Sequence, residues 1–390
     1  MTSRLPARRG TRRPGNISGR RTRRLGTSAD RARRLGPAGR PRRLGTVSGG
    51  TRLRWLRLAA AVVIAGLATA ACSSATAGGG SAGSGGPSGR TGSSSVSQVT
   101  LRVGDQSGTG AQALLTAAGL IRKLPFKVGW SDFTSGPPML QAMGAGAIDI
   151  GGVGDAPPVF AAAGGNKIAI VGALRANPLA AALVVQKGSK IQSIAQLRGK
   201  RIAVAQGSSA NYHLLTVLDE AGLNVHDVTV EYLQPAAALA ALTSGHVDAW
   251  DIWSPYIEQV TALHGARILV NGNGYGSNYS FEVASRAALG DASKVAAIRD
   301  YLSLLTQAHA WARTHLQAWA DVWAQATGLP ASVMLTATKD AASSAVPITS
   351  GVVGSEQRIT DAFYAAGLIP TKVNFANFSD GRFNNVLGAS

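Results

Sequence analysis

The feature that most constrains the fold of this chain is an internal repeat at a spacing of about 100 residues. Two copies at so long a period do not make a solenoid, whose short repeats must stack at least three deep to bury a core. The repeat therefore predicts two α/β units built on one plan. Five positions of the first copy recur 99 residues later: Leu140, Met143, Gly146, Ile148 and Asp149 match Leu239, Leu242, Gly245, Val247 and Asp248.

The first copy alternates between strand-like and helix-like segments. Residues 100–103 and 126–130 have strand character, a helical segment ends near Lys123, and residues 148–150 form a short buried strand. Such alternation favours a parallel sheet with helices on both faces. The predicted fold class is α/β, with two lobes that are each a mostly parallel sheet flanked by helices, joined by a hinge of two crossing segments.

The two lobes are expected to meet at a cleft, because ligands of open α/β sheets bind beyond the carboxyl ends of the strands. Gln106 and Gln206 lie at those ends, one in each lobe. The chain is predicted to cross into the second lobe at residues 181–185 and to return at residues 279–283. The predicted boundaries are 99–183 for the first part of the first lobe, 184–277 for the second lobe, and 278–390 for the return and the C-terminal helices.

The strong positive charge of the chain is confined to its N-terminal part. Residues 1–57 hold 18 of the 39 basic residues and one acid, whereas residues 58–390 hold 21 basic and 19 acidic residues. A nucleic-acid-binding domain needs basic groups on a folded face, so no nucleic-acid partner is expected. Residues 1–51 repel one another and have little to bury, which predicts a disordered Arg-rich leader or a segment upstream of the true start codon.

An export signal follows the leader. Three arginines within residues 52–57 precede the 14 uncharged residues 58–71, a length that suits a signal peptide and is short for a membrane span. The predicted signal peptide covers residues 52–71. The next residue, Cys72, follows small side chains and resembles the cysteine of a bacterial lipobox, so it is the predicted lipid-attachment site. Plain cleavage at the Ala-x-Ala pattern is the alternative. The Gly- and Ser-rich segment 72–98 is expected to be a flexible tether.

The residue types exclude several chemistries. Cys72 is the sole cysteine, which rules out a disulfide framework and a thiolate zinc site. The sequence contains no P-loop and no nucleophile-elbow motif, and its six histidines show no metal-binding spacing. No cofactor, metal or catalytic residue is therefore expected, and the chain is not expected to be an enzyme.

The positive signal is the GSSAN segment at residues 207–211, which follows a predicted strand and opens a predicted helix. The first turn of a helix offers unpaired N–H groups and a partial positive charge. Small residues there let a phosphate, sulfonate or carboxylate approach closely, and the hydroxyls of Ser208 and Ser209 add donors. An ordinary serine N-cap explains the same residues equally well, so the segment alone leaves both interpretations open.

Five short segments together resemble one family. They are SGPP at 135–138, GDAPPVF at 154–160, GSSA at 207–210, VDAW at 247–250 and WSPY at 253–256. In this order they are similar to the aliphatic-sulfonate-binding proteins of ABC transporters. That family is a branch of the type II periplasmic-binding-protein fold, whose other members bind nitrate, taurine or pyrimidine precursors. Three positions depart from the family pattern, in which Thr, Asp and an aromatic residue are common: Val153, Ser254 and Glu282.

The resemblance implies a ligand between two lobes and places seven residues at or near the pocket. Asp155 is interpreted either as the cap of the helix that follows it or as the partner of an amine on the ligand. Trp253 is interpreted either as an apolar wall against the ligand's tail or as core, and core packing is predicted for Trp319 and Trp323. The seven positions are Gln106, Ser135, Asp155, Ser208, Ser209, Trp253 and Ser280.

The resulting hypothesis is a monomeric, lipid-anchored solute-binding protein on the outer face of the cell membrane or in the periplasm. It would hand a sulfonate or a similar small organic anion to the transmembrane subunits of an ABC permease. Closure of the lobes about the hinge would capture the ligand without covalent chemistry. Three alternatives stay open: a receptor for nitrate, taurine or a thiamine-pyrimidine precursor, an enzyme on the same fold, and a structural envelope protein. The enzymes that resemble this fold use a catalytic Cys or a Cys-rich motif, whereas residues 73–390 contain no cysteine.

Overall fold

A computed structural model describes residues 98–106 and 110–388 of the chain. The predicted leader, the signal peptide, Cys72 and the tether up to residue 97 lie outside these residues. Within the described part, no helix is both long enough and apolar enough to cross a membrane.

The described residues form eleven strands and twelve α-helices, joined by loops and short 3-10 helices. The strands, in chain order, are β1 (Thr100–Gln106), β2 (Lys127–Phe133), β3 (Ile150–Gly154), β4 (Ile168–Ala176), β5 (Ala181–Val185), β6 (Arg201–Val204), β7 (Thr229–Tyr232), β8 (Ala249–Trp253), β9 (Arg267–Asn271), β10 (Tyr279–Ser285) and β11 (Ser343–Val346). The helices are α1 (Ala111–Ala117), α2 (Gly136–Gly144), α3 (Ala156–Ala163), α4 (Ser209–Glu220), α5 (Pro235–Ser244), α6 (Tyr256–His264), α7 (Arg286–Leu289), α8 (Ala292–Thr314), α9 (Leu316–Thr327), α10 (Ala331–Asp340), α11 (Ser350–Ala365) and α12 (Asn384–Leu387).

The first sheet has six strands in the order β11-β4-β10-β3-β1-β2. β1 pairs in parallel with β2 and β3, β10 pairs antiparallel with β3 and β4, and β11 pairs antiparallel with β4. The strands β1 to β4 therefore run in one direction. Helices α1, α8, α9 and α10 cover one face around Leu101 and Tyr301, and α2, α3 and α11 cover the other around Met139 and Phe281. This sheet and its helices are the first lobe.

The second sheet has five strands in the order β7-β6-β8-β5-β9. β6 pairs in parallel with β7 and β8, whereas β5 pairs antiparallel with β8 and β9. Helix α4 packs on one face around Leu214 and Val217, and α5 and α6 pack on the other around Leu242 and Val260. This sheet and its helices are the second lobe.

The predicted α/β fold of two lobes is confirmed, with one difference in the sheets. An antiparallel strand lies inside each of them, β10 in the first and β5 in the second. Each of these strands follows a crossing between the lobes. Because the chain then arrives at the cleft edge, where the parallel strands end, it must run back through the sheet in the opposite direction.

The crossings lie just outside the segments predicted for them. The sequence predicts crossings at residues 181–185 and 279–283, but these residues belong to β5 and β10, and the predicted boundary between 183 and 184 falls within β5. The segments that join the lobes are residues 177–180 and 272–278. The first segment begins beside the place where the second one ends, because Ala176 N donates a hydrogen bond to Asn278 O at 2.9 Å.

The sequence repeat corresponds to the same Asp–Arg ion pair in each lobe. Asp149, just before β3, accepts a hydrogen bond from Arg102 N at 3.0 Å and forms an ion pair with the Arg102 guanidinium at 2.6 Å. Asp248, just before β8, accepts from Arg201 N at 2.8 Å and pairs with the Arg201 guanidinium at 3.4 Å. The repeated aspartates thus tie β1 to β3 and β6 to β8, which sets the same strand order in both lobes.

Candidate functional site

A cavity of about 310 Å³ lies at the cleft edge of both sheets. Its walls come from the ends of β1, β3, β4 and β8, from the start of α4, from β10 and from both crossing segments. The topology alone brings these segments together, because the parallel strands of both lobes end at this edge. Helices α8 and α9 also contribute, so the cavity extends from the cleft toward the core of the first lobe.

Six of the seven residues predicted at the pocket line this cavity, and Ser135 is the exception. Ser135 is buried, and its hydroxyl donates to Gln234 Oε1 at 2.9 Å. The hydroxyl of Thr134 donates to the same oxygen at 3.0 Å. Since Gln234 immediately precedes α5, Ser135 joins the first lobe to the second. The six lining residues are Gln106, Asp155, Ser208, Ser209, Trp253 and Ser280.

Ser208 is the N-cap of α4. Its Oγ accepts a hydrogen bond from Asn211 N at 3.3 Å and donates to Ala205 O at 2.7 Å. The hydroxyl is therefore engaged within the second lobe, as the N-cap interpretation predicts. The next two residues, Ser209 and Ala210, also line the cavity. Their backbone N–H groups belong to the first turn, where a helix supplies no acceptor of its own, so they are the donors this helix start can offer.

Ser209 faces the first lobe. Its Oγ accepts a hydrogen bond from Asp155 N at 3.0 Å. A Cβ atom at Gly154 would collide with the Ser209 hydroxyl, so the end of β3 needs glycine where it approaches α4. The two lobes therefore touch directly beside the helix start.

Asp155 lines the cavity with only 4% of its surface exposed. The interpretation as a helix cap is wrong, because its side chain makes no capping bond to α3. Instead Oδ2 accepts from the hydroxyl of Ser277 at 2.6 Å and from Ser277 N at 3.4 Å, while Oδ1 has no partner. Burial raises the pKa of Asp155, and the hydrogen bonds from Ser277 offset only part of that rise. Asp155 thus links the first lobe to the crossing segment 272–278.

His213, one turn into α4, forms a buried pair with Asp251 of β8. Its Nδ1 lies 2.8 Å from Asp251 Oδ2, and its Nε2 lies 3.4 Å from the carbonyl oxygen of Asn271. Burial lowers the pKa of His213, but the Asp251 carboxylate raises it by more, so the net direction is upward. Both ring nitrogens face acceptors within the second lobe, so neither serves a cavity serine as a general base.

Glu282 lies within β10 and lines the cavity with 5% of its surface exposed. Its Oε2 has no partner. Burial, followed by the charge of Asp105, raises the pKa of Glu282 to about 8. Asp105, at the end of β1, accepts backbone hydrogen bonds from Gln106, Ala111 and Gln112, and burial raises its pKa to about 6. Near neutral pH the two carboxyls therefore carry one negative charge, on Asp105.

Tryptophans supply much of the apolar wall. Trp253, half-buried at the end of β8, lines the cavity and also packs on the core of the second lobe. Trp319 and Trp323 are buried and stacked, with ring centroids 5.1 Å apart, and they line the cavity as well as the core of the first lobe. Each of these three tryptophans is therefore both part of the cavity wall and part of the packing around a hydrophobic core.

Sequence reasoning assigned no role to two residues that line the cavity. Glu282 is noted there only as a departure from the family pattern, although an acid between Phe281 and Val283 in an apolar strand signals an unusual site. His213 gives a weaker signal, which is the matching Asp251 in the middle of the buried strand AWDIW. Among the described residues, no group of three or more His, Cys, Asp and Glu is placed to hold a metal ion.

Comparisons with known proteins agree with this architecture. Residues 135–301 match the model of a family described as NMT1/THI5-like. The chain is 35% identical over 282 residues to a protein of Escherichia coli (strain K12) named as an aliphatic sulfonates-binding protein, and the match covers 71% of this chain and 88% of that one. These matches confirm the resemblance found in the sequence.

Solved structures share the fold. The alkanesulfonate-binding protein SsuA from Xanthomonas axonopodis pv. citri, bound to MOPS, superimposes with a TM-score of 0.68 at 35% identity, covering 73% of this chain and 99% of that chain. The desulfurization enzyme DSZB superimposes with a TM-score of 0.54 at 16% identity, covering 73% and 97%. At that identity the likeness to the enzyme concerns the fold alone.

Proposed function

Because the chain belongs to the family of aliphatic-sulfonate-binding proteins, we propose that it is the monomeric solute-binding protein of an ABC importer. It captures an aliphatic sulfonate in the cavity between its lobes and delivers it to the transmembrane subunits of the permease. The observation that carries this proposal is the start of α4, whose first residues line a cavity enclosed by two lobes in contact.

A sulfonate suits this helix start. It keeps its negative charge at any ordinary pH, and a helix N-terminus stabilises an anion through its N–H groups and its dipole. The N–H groups of Ser209 and Ala210 supply two donors. The hydroxyl of Ser280 adds a third from the first lobe, because Ser280 pairs with Gly154 next to Ser209. The anion is thereby held without a paired Lys or Arg.

The hydrocarbon part of the ligand lies against the apolar wall. Trp253 covers it from the second lobe, and Leu305, Trp319 and Trp323 line the extension into the first lobe. Such a wall with a few convergent polar groups is typical of a site for a small organic ligand. It favours an organic anion over nitrate, which has no apolar part to bury.

Closure of the lobes captures the ligand, with no covalent chemistry. The inter-lobe hydrogen bonds from Ser135 to Gln234 and from Asp155 to Ser209 belong to the closed arrangement. Opening about residues 177–180 and 272–278 breaks these bonds and exposes the cavity. A ligand that contacts both lobes stabilises the closed arrangement, because it binds that arrangement more tightly than the open one.

Calorimetric titration of the purified full-length protein with alkanesulfonates, nitrate and taurine tests this proposal. Ser209→Pro removes one backbone donor at the first helical position, where proline is otherwise tolerated. We expect sulfonate binding to weaken about ten- to hundredfold, since a hydrogen bond to a charged group contributes roughly 1.5–3 kcal/mol.

Ser209→Ala is the matched control, because it removes the hydroxyl and keeps the N–H group. It is expected to weaken binding much less than the proline. Equal affinity of Ser209→Pro and wild type would mean that the anion does not bind at α4. Preferential binding of nitrate or of a thiamine-pyrimidine precursor would replace the sulfonate by one of these alternative ligands. Preferential binding of taurine, which is a sulfonate with an amine, would keep the anion site and replace the plain alkanesulfonate.

We also infer that the protein is exported and held at the outer face of the cell membrane by a lipid on Cys72. The support is the signal-peptide pattern of residues 52–71 and the small residues before the cysteine. Cys72→Ala is expected to move the protein from the membrane fraction to the soluble fraction. A variant that stays with the membranes as wild type does would refute the anchor and leave solute binding untouched.

A further inference from the structure

We propose that the first-lobe part of the cavity binds a cationic group on the ligand at Glu282, so that the ligand is a zwitterionic aminosulfonate. This inference rests on the proposed function, which places the sulfonate at α4. It deepens that function by assigning a residue of this chain to the opposite end of the ligand.

The sheet makes room for Glu282 to lie inside the cavity. Its register partners on the two flanking strands are both glycines, Gly152 on β3 and Gly172 on β4. A Cβ atom at Gly152 would lie 2.8 Å from Glu282 Oε1, and one at Gly172 would lie 3.2 Å from Glu282 Cβ. The acidic side chain therefore occupies space that larger residues on these strands would fill.

Glu282 is buried without adequate partners. One of its oxygens, Oε2, has no hydrogen bond, although the side chain lines the cavity and only 5% of the residue is exposed. A buried polar atom without a partner is costly and rare in native proteins. The phenol oxygen of Tyr301, whose pKa is raised by burial and by the charges of Glu282 and Asp105, also lacks a partner. An ammonium group in the cavity, with three donors, would supply the partner that Glu282 Oε2 lacks.

The charges around Glu282 leave a place for a cation. Asp105 is the neighbouring carboxyl, and among the described residues neither acid has a basic side chain within ion-pair distance. On α8, burial and the charge of Arg313 lower the pKa of His309 to about 4, so this histidine is neutral near pH 7. Arg313 itself donates to Ser344 Oγ at 2.6 Å. Arg313 also lines the cavity, and the Asp105 carboxylate accepts three backbone hydrogen bonds. Glu282 is therefore the cavity carboxyl that is left for a cationic ligand to pair with.

The separation of the two ends suits a short ligand. Ser280 and Glu282 are two residues apart on β10, so their side chains point to the same face, about 7 Å apart along the strand. Ser280 pairs with Gly154, which touches Ser209 at the start of α4. A sulfonate at α4 and an ammonium group at Glu282 can thus be joined by a short alkyl chain that runs along β10.

Binding of the amine is coupled to the release of a proton. In the free protein at pH 7 Glu282 is protonated, because its pKa is about 8. An aliphatic ammonium group stays charged at this pH, and its approach favours the ionised carboxylate. The Glu282 proton then leaves to the solvent, and about one proton is released for each ligand bound. A sulfonate without an amine causes no such release.

The test is calorimetry on the full-length protein with a matched pair of ligands, aminopropanesulfonate and butanesulfonate. The titrations are run at pH 7 in Tris and in bis-Tris, which differ in ionisation enthalpy and carry no sulfonate. We expect the amine to bind about tenfold more tightly than its alkyl counterpart. We also expect release of about one proton with the amine only.

Glu282→Gln is expected to remove both the preference and the proton release. Glu356→Gln is the matched control, because Glu356 is also fully buried with both oxygens unpartnered, but it does not line the cavity. This control should keep the preference and the release. If Glu282→Gln does not fold, proton release by wild type decides the question alone.

The outcomes distinguish failure of the aminosulfonate proposal from failure of the proposed sulfonate-binding function. Butanesulfonate that binds as tightly as the amine, absence of proton release, or a Glu282→Gln variant that keeps the preference would each overturn the aminosulfonate proposal and leave sulfonate binding standing. Failure of every sulfonate to bind wild type would overturn the proposed function itself.

Discussion

The two lobes begin their first helices in equivalent places and use them differently. In the first lobe, the N–H groups of Ala111 and Gln112 at the start of α1 are bonded to the Asp105 carboxylate at 2.8 and 3.0 Å. In the second lobe, the repeat places Ala205 at the position of Asp105. The corresponding helix, α4, therefore starts without a carboxylate at the equivalent position of its own lobe.

On the proposed function, this difference explains why one plan offers one anion site rather than two. A carboxylate of the chain already occupies the helix start of the first lobe, so no external anion is needed there. At the start of α4 the backbone N–H groups of the first turn face the cavity, where they can donate hydrogen bonds to an external anion. The first lobe instead brings buried acids to the cavity, which suit the opposite charge.

The largest effect is expected from making the two helix starts alike. Ala205→Asp places a carboxylate beside α4, where it competes with the ligand for the N–H groups and repels its charge. We expect sulfonate affinity to fall at least about a hundredfold, because two charge-assisted hydrogen bonds are lost. Calorimetric titration measures this loss.

Ala205→Asn is the matched control, since it has a similar size and no charge. It should bind more tightly than Ala205→Asp. If both variants lose binding to the same extent, the side chain acts by its bulk and the comparison of the two helix starts fails.

A second effect should appear in the pH dependence of stability, through the buried acid Glu282 of the first lobe. The pKa of Glu282 rises from 4.5 to about 8 on folding, so between these values the native state holds a proton that the unfolded state has lost. Stability therefore falls as pH rises, by about 1.4 kcal/mol per pH unit for this group. From about pH 5 to pH 7 the loss is roughly 3 kcal/mol.

Denaturant unfolding of the ligand-free protein across this range measures the slope. Glu282→Gln cannot ionise and should make the slope less steep. The remaining slope comes from other buried acids with raised pKa values, such as Asp105 and Glu356. Parallel curves for wild type and Glu282→Gln would show that Glu282 is not the buried acid described above.

A smaller effect is expected where the lobes touch outside the cavity. Gln234→Ala removes the oxygen that accepts from Thr134 and Ser135. Neutral hydrogen bonds contribute about 1 kcal/mol each, and solvent replaces part of this in the open state, so affinity should fall roughly fivefold. Small-angle scattering of the ligand-bound variant should show a larger radius of gyration than for ligand-bound wild type.

Gln234→Glu keeps the accepting oxygen Oε1, replaces the amide nitrogen by a second oxygen, and is the control. It should close as wild type does. A Gln234→Ala variant that binds and closes normally would mean that the contact follows closure without stabilising it.

Sequence patterns predict most of the architecture. The 99-residue repeat predicts the two lobes, and the strand pattern at residues 100–103 coincides with the first part of β1. The third strand illustrates the limit: the apolar run at 148–150 predicts it, but β3 begins only at Ile150 because Asp149 is taken by Arg102. The ends of strands depend on such tertiary bonds, which a local pattern does not contain.

The site is less predictable than the fold, because it depends on which donors are already in use. The sequence alone cannot tell whether Ser208 caps α4 or donates to an anion, since this depends on the hydrogen bond from its hydroxyl to Ala205 O. Asp155 could not be distinguished from a helix cap until the distant Ser277 was in place. Glu282 faces a cavity only because the register sets Gly152 and Gly172 on either side.

The pairing of the two crossing segments makes the second lobe an insertion with a single point of entry. Ala176 and Asn278 are hydrogen-bonded neighbours, and everything between them leaves the first lobe and returns to the same place. A short turn could replace the insertion without moving β4 or β10. The second lobe of a related receptor could be grafted at the same point, which would exchange the proposed anion end of the site and keep the proposed amine end.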